Sequence, residues 1–235
     1  MQKDNIKNVK VKWLNNLNEL NYFPCIFIAN EFFDALPIKQ FLKKEKKWYE
    51  RHVNFADNKK LEYLDIPFDM QKFEKKIKFK ISYKQKFIEY SPLATKYLQT
   101  IIKKIKLNSG GILIIDYAYL ENEMKNTLQA VSKHKYCDVL KGFRNADITY
   151  NLSLNLINKI IKKIGACSSL STTQKKFLTK LGILNRAEIL SKNMLFGEKA
   201  DIYFRIKRLI DERQMGHLFK VMFITNHKNK FKLGF

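Results

Sequence analysis

The sequence predicts an α/β fold built around a parallel sheet, on the evidence of two apolar runs and a helix between them. Cys25-Ile26-Phe27-Ile28-Ala29 and Ile112-Leu113-Ile114-Ile115 are short continuous apolar stretches, ending at Asn30-Glu31 and at Asp116-Tyr117. A strand covered on both faces reads this way, because neither face meets water. Between them, Leu93, Tyr97, Ile101 and Ile105 recur every four positions behind Ser91-Pro92. That spacing is an amphipathic helix with a serine N-cap and a proline in its first turn. Asn108-Ser109-Gly110-Gly111 stops the helix, so helix and second strand form an α/β unit.

Taken in order, Val9-Lys10-Val11-Lys12-Trp13 alternates as a strand does, and Asn15-Asn16 is turn-prone before a short segment at Leu17 to Leu20. The strand at Cys25 follows. Ile38 to Leu42 and Trp48 to Phe55 flank Lys43-Lys44-Glu45-Lys46-Lys47, which reads as a hairpin with a charged, solvated loop. The helix spans Pro92 to Lys106. Leu152, Leu156, Ile157, Ile160, Ile161 and Ile164 place another over Asn151 to Ile164, stopped by Gly165. Thr173 to Leu181, closed by Gly182, and Asp201 to Ile210 read as further helices, and Phe219 to Ile224 as a final strand. No internal repeat and no Gly/Pro/Ser-rich linker divides the chain.

At 235 residues and 46% apolar, the chain can bury one sizeable core. Cys25, Cys137 and Cys167 are an odd set without C-x-x-C spacing, which points to a reducing intracellular compartment. No apolar run approaches the roughly 18 residues of a membrane span, and the first ten residues lack the apolar core of a signal peptide. A soluble protein is expected. The net charge of +23 normally points to a polyanion, yet only Arg51, Arg144, Arg186, Arg205, Arg208 and Arg213 among the 45 basic residues are arginine. Specific phosphate or base reading favours arginine's fork. Lysines scattered through every segment read as compositional drift, with a polyanion site as the alternative.

Asn30, Glu31 and Asp34 fall just past a strand's carboxyl end, where open α/β sheets place their ligand crevice. The alternative is that Glu31 and Asp34 cap a following helix. Asp116-Tyr117 stands at the second strand end, as a pocket wall or a structural turn. His134 is lone, and His52, His217 and His227 form no cluster, so no metal site is expected.

Ala29-Asn30-Glu31-Phe32-Phe33-Asp34-Ala35-Leu36-Pro37 with Gln40-Phe41, then Gly110-Gly111 through Asp116-Tyr117, closely resembles the MidA-like methyltransferases, relatives of a mitochondrial complex I assembly factor. Further matches follow in the family's order: Glu89 with Ser91-Pro92, Thr127 to Val131 with His134, Asp147 with Thr149, Phe177-Leu178 with Leu181-Gly182-Ile183, and Met215-Gly216. The resemblance implies a class I, Rossmann-like enzyme that uses S-adenosylmethionine to methylate a protein arginine, its substrate a complex I subunit. It also implies a bacterial cytoplasmic or mitochondrial matrix location. Glu31 and Asp34 are the residues expected to orient the cationic guanidinium. Asn30, Asp116, Tyr117, His134 and Asp147 would line the pocket.

Two departures stand against the family pattern. None of the eight glycines forms G-x-G, the turn that cradles the cofactor in Rossmann-like folds. Matched to the family, Val9 to Trp13 would be the third strand, so residues 1–235 are expected to be the C-terminal portion of a single catalytic domain, without its first strands and cofactor turn. In the second departure, Phe143-Arg144 stand where the family carries Pro-Gly, and Asn151 and Ser153 where acids are common. Three readings follow: the methyltransferase, completed by a separate N-terminal half; a non-catalytic remnant or assembly partner; and a nonspecific polyanion-binding module.

Overall fold

The computed structural model describes residues 10–20, 24–56, 60–133, 135–142, 145–165 and 167–235. After a 3-10 turn at Leu17–Glu19 come β1 (Cys25–Asn30), β2 (Lys39–Lys44), β3 (Lys47–Phe55), β4 (Leu61–Pro67), α1 (Met70–Ile77), β5 (Phe87–Tyr90), α2 (Pro92–Asn108) and β6 (Gly110–Tyr119). The second half holds β7 (Gln129–Ser132), β8 (Lys135–Cys137), α3 (Val139–Gly142), β9 (Asp147–Thr149), β10 (Leu152–Ser153) and α4 (Leu154–Ile164). It closes with β11 (Cys167–Thr173), α5 (Gln174–Lys180), α6 (Ile183–Ser191), α7 (Phe196–Ile210), α8 (Met215–Leu218) and β12 (Phe219–Asn226).

The main sheet runs β1-β6-β12-β11, with β10 added at the end of β6. β1 and β6 are parallel, paired from Cys25 with Gly110 to Asn30 with Ile115. β12 lies antiparallel between β6 and β11. The α/β fold and the parallel pairing of these two strands are as predicted, in a Rossmann-like sheet that is mixed because β12 and β11 run antiparallel. A second, antiparallel sheet is ordered β4-β3-β2-β5, and a small third one β8-β7-β9.

Local chemistry sets the central unit. Ser91 Oγ accepts the Ala94 N–H at 3.1 Å and Pro92 opens the helix, so α2 starts where the cap predicts. Leu98, Ile101, Ile102 and Ile105 form its buried face and join the core with Ile112, Ile114, Met222 and Ile224 from the sheet. Gly110, at φ +95°, lets β1 and β6 begin side by side: a Cβ there would stand 2.0 Å from the Cys25 carbonyl oxygen.

Several expectations need correction. Residues 10–13 form no strand, and Val11 and Trp13 are exposed; Val9 lies outside the described residues. Among the described residues β1 has no neighbour on its far side, and Ile26 and Ile28 are 67% and 72% exposed, so β1 is covered on one face only. The hairpin is tighter than predicted: Lys43, Lys44 and Lys47 belong to the strands, leaving Glu45-Lys46 as a two-residue turn with φ of 44° and 74°. α4 begins at Leu154, because Ser153 is its N-cap. α7 begins at Phe196, five residues before the predicted start.

Candidate functional site

Three carboxyl groups gather where β1 ends beside Asp116 of β6. The Glu31 N–H donates to the Ile115 carbonyl at 2.9 Å, prolonging the parallel ladder by one residue, and the backbone then turns at Glu31, φ +46°. A non-glycine residue held in the left-handed region costs on the order of 1 kcal/mol or more and marks a locally enforced geometry. The turn sends Glu31 and Phe32 outward and buries Phe33 and Asp34. No helix follows; residues 31–38 lead directly into β2, so the helix-cap alternative for Glu31 and Asp34 is overturned.

Asp116, fully buried within β6, fixes this turn. Its Oδ2 accepts the Phe33 and Asp34 N–H groups at 3.1 and 3.4 Å, and its Oδ1 accepts the N–H of Tyr117 at 3.0 Å. The Asp34 carboxyl lies close enough to bear on it, and like charges so near cannot both ionise freely. Burial, then the Asp34 charge, pushes the Asp116 carboxyl up to about 8. Asp34, 3% exposed, is also raised, by burial first, against a lowering by Asp116 and with a further rise from Glu31.

The wall opposite comes from the end of β9. The Tyr150 N–H donates to the Asp34 carbonyl at 3.2 Å, and the Asn151 N–H to Thr127 Oγ1 at 2.9 Å. Thr127 Oγ1 in turn donates to Glu89 Oε2, while Glu89 Oε1 accepts from Gln40 Nε2 at 2.9 Å and from the Thr127 and Leu128 N–H groups. Burial raises Glu89, Tyr150 and Tyr117, and carries Tyr119 up to about 12. Glu89, Tyr150, Asn151 and Phe33 border a cavity of about 30 Å³, room for a water or two. Among the described residues the Asp34 Oδ1 and Asn151 Oδ1 atoms are buried without a hydrogen-bond partner. Both are acceptors.

The expected residues thus separate. Asn30, Glu31, Asp34, Asp116 and Tyr117 converge, with Tyr117 half-buried and its ring 4.2 Å from that of Phe219. Asp116-Tyr117 is not a terminal turn, since β6 continues to Tyr119. Asp147 stands exposed at the start of β9, and His134 lies outside the described residues. Sequence reasoning missed Tyr150 and the Glu89–Thr127 network as parts of the site. A carboxylate inside the apolar strand Phe87-Ile88-Glu89-Tyr90 was the available signal, since burying it requires partners.

The fold is an open, Rossmann-like α/β sheet with carboxyl groups gathered beside its parallel strands. Residues 1–173 match the model of a family described as "Putative S-adenosyl-L-methionine-dependent methyltransferase", and the chain belongs to that family. Among curated relatives, "Protein arginine methyltransferase NDUFAF7, mitochondrial" is 24% identical in Danio rerio, over 92% of this chain and 51% of the relative. The Xenopus tropicalis protein of the same name is 26% identical, over 89% and 49%. This chain therefore spans about half the length of the curated relatives it matches. A solved protein of Burkholderia thailandensis, bound to S-adenosyl-homocysteine, shares the fold with a TM-score of 0.77 at 23% identity, over 95% of this chain and 58% of that one.

Among the described residues Gly110, Gly165, Gly182 and Gly234 are the positive-φ glycines, and none of them follows the carboxyl end of a parallel strand. Among the described residues no cluster of three His, Cys, Asp or Glu side chains has metal-binding geometry. No helix among them is long and apolar enough to cross a membrane.

Proposed function

We propose that the chain carries the substrate-facing wall of an S-adenosylmethionine-dependent protein arginine methyltransferase. The observation that supports it is the convergence of Glu31, Asp34 and Asp116 at one strand tip in a chain of net charge +23. A local concentration of carboxyl groups in so cationic a protein favours a cationic ligand, and a guanidinium offers five N–H donors and no acceptor. Glu31, exposed at the mouth, takes the guanidinium. Asp34, buried beneath it with an unsatisfied oxygen, supplies the second acceptor as the turn adjusts, and Asp116 holds both in place. Asn30 and Tyr117 form the polar and aromatic rim, and Asp147 a more distant one. Methyl transfer needs the acceptor nitrogen held in line and water excluded, more than it needs acid-base chemistry.

The open edge of β1 favours a further element in the reading. Ile26 and Ile28 face solvent there, and the curated relatives are about twice as long. We infer that a separate or preceding N-terminal segment adds to β1 and brings the cofactor turn; without it the chain is a non-catalytic assembly partner. A complex I subunit as substrate, and a matrix or bacterial cytoplasmic location, belong to the same reading.

The test supplies the N-terminal half of a relative with this chain and follows methyl transfer to an arginine peptide and to its lysine counterpart. Glu31→Gln is expected to remove most transfer while leaving the thermal midpoint in place, because the change keeps shape and removes charge. Transfer at the parent rate by Glu31→Gln, or equal transfer to the lysine peptide, sinks the assignment.

A further inference from the structure

A groove of about 780 Å³ lies beside the β2–β3 turn at one end of the second sheet, bounded by that turn, α1 and the segment after it. Its volume lies within the roughly 300–1,000 Å³ of ligand sites. Lys46, Lys75, Lys78 and Lys80 line it. Lys75, Lys78 and Lys80 are neighbours in sequence, and the fold brings Lys46 of the β2–β3 turn to the same groove. Trp48, Phe79 and Tyr83 line it too, with Tyr83 69% exposed. Glu74 is the lining carboxylate, and its Oε1 is committed to the Ile81 and Ser82 N–H groups at 2.7 and 2.8 Å. In the adjoining hollow Asp69 is likewise spent, capping α1 through the Lys72 N–H at 2.9 Å.

The surroundings concentrate the positive charge further. Lys163 Nζ donates to the Ile77 carbonyl at 2.6 Å and lies 5.2 Å from the Phe79 ring centre. Burial and the Lys78 charge hold the Lys163 ammonium below its ordinary value. Lys78 itself sits in the left-handed region at φ +60°, as the C-cap of α1. Ammonium groups and aromatic side chains lining one groove, with Glu74 Oε1 and Asp69 Oδ1 bonded to backbone amides, make a site that an anion bearing a flat ring would complete.

We propose that this groove binds a nucleoside phosphate, as a single-stranded oligonucleotide or a free nucleotide, with its phosphates on the lysines and a base stacked on Tyr83 beside Trp48. Lysine contacts phosphate as a point charge, and any base presents a face to stack, so binding is independent of sequence. The groove shares no lining residue with the strand-tip site, so the proposal stands whether or not the methyltransferase reading does.

The experiment measures anisotropy of labelled oligouridylate and oligoadenylate of roughly 10 nucleotides, with the whole chain at about 0.15 M ionic strength. Lys75→Glu with Lys80→Glu is expected to weaken binding about 10-fold or more. Tyr83→Ala is expected to weaken it roughly 5-fold or more, the loss of one stacked base. The control, Lys228→Glu with Lys230→Glu, reverses two exposed cations outside the groove and should leave affinity within about 2-fold. Displacement by a mononucleotide at comparable concentration identifies a free nucleotide as the occupant, and displacement by the oligomer alone identifies a strand; either supports the groove. The proposal is overturned if no binding is seen, if the control pair weakens binding as much as the groove pair, or if Tyr83→Ala has no effect.

Discussion

Asp116 accepts backbone N–H bonds from Phe33, Asp34 and Tyr117, all of which favour its ionised form; burial and Asp34 oppose them and prevail, holding it at about 8. An unfolded aspartate titrates near 3.9. A folded-state value raised above that contributes stability that is full below about pH 4 and is lost as the pH rises through about 8. Glu89, raised by burial, acts in the same sense, and Glu31, Asp34, Tyr117 and Tyr150 are the other groups whose charge bears on Asp116 or its partners. The thermal midpoint should therefore fall between pH 5 and 9, and Asp116→Asn should flatten part of that slope. The variant starts lower by roughly 1–3 kcal/mol, because an amide NH₂ cannot accept the N–H groups that an Oδ atom accepts. Identical slopes for variant and parent rule out Asp116 as the titrating group. That Asp34 and Asp116 belong to the strand tips was legible in residues 25–37 and 112–117. Their contact was not, since residues 82 apart in sequence meet only once the register of β1 on β6 is set.

At the scale of elements, the hairpin joining β2 to β3 turns through Glu45 and Lys46, both at positive φ, the geometry that Asn-Gly adopts with least strain. Glu45→Asn with Lys46→Gly should raise unfolding stability by roughly 0.5–1 kcal/mol, read as a higher urea midpoint at unchanged slope; an unchanged midpoint means that the side chains of the turn offset its strain. Ser91→Ala should cost about 1 kcal/mol, since it loses the α2 cap and the bond from Ser91 Oγ to the Pro37 carbonyl at 2.8 Å. Elements whose signals are local, such as α2 with its cap and β6 with its apolar run, were legible in the sequence. β4 and α1 were not anticipated: Leu61-Glu62-Tyr63-Leu64-Asp65 is half polar and gains its strand form from pairing with β3, where Arg51 Nε meets Asp65 Oδ1 at 3.0 Å. Residues 10–13 show the reverse case, an alternating pattern with no strand to pair with among the described residues.

Across the whole molecule, β1 and β11 are the two edge strands of the main sheet among the described residues, and β1 alone of the two also turns Ile26 and Ile28, 67% and 72% exposed, to solvent. An exposed apolar edge strand is a template for another chain. The isolated chain is expected to self-associate, and Ile26→Lys with Ile28→Lys should shift it toward monomer in sedimentation velocity without loss of helix content, because both side chains already face solvent. The same open edge predicts the cofactor behaviour. On the reading that the cofactor turn comes from an added segment, a lone chain supplies part of the contacts, and translational and rotational costs of binding are not recovered from part of a site. Calorimetry should find S-adenosylmethionine binding weak or undetectable for the chain alone and restored when an N-terminal segment is added, with the lysine variant of β1 restored less. Micromolar binding by the unaided chain would show that its own residues complete the cofactor site, and the open edge would then need a different partner.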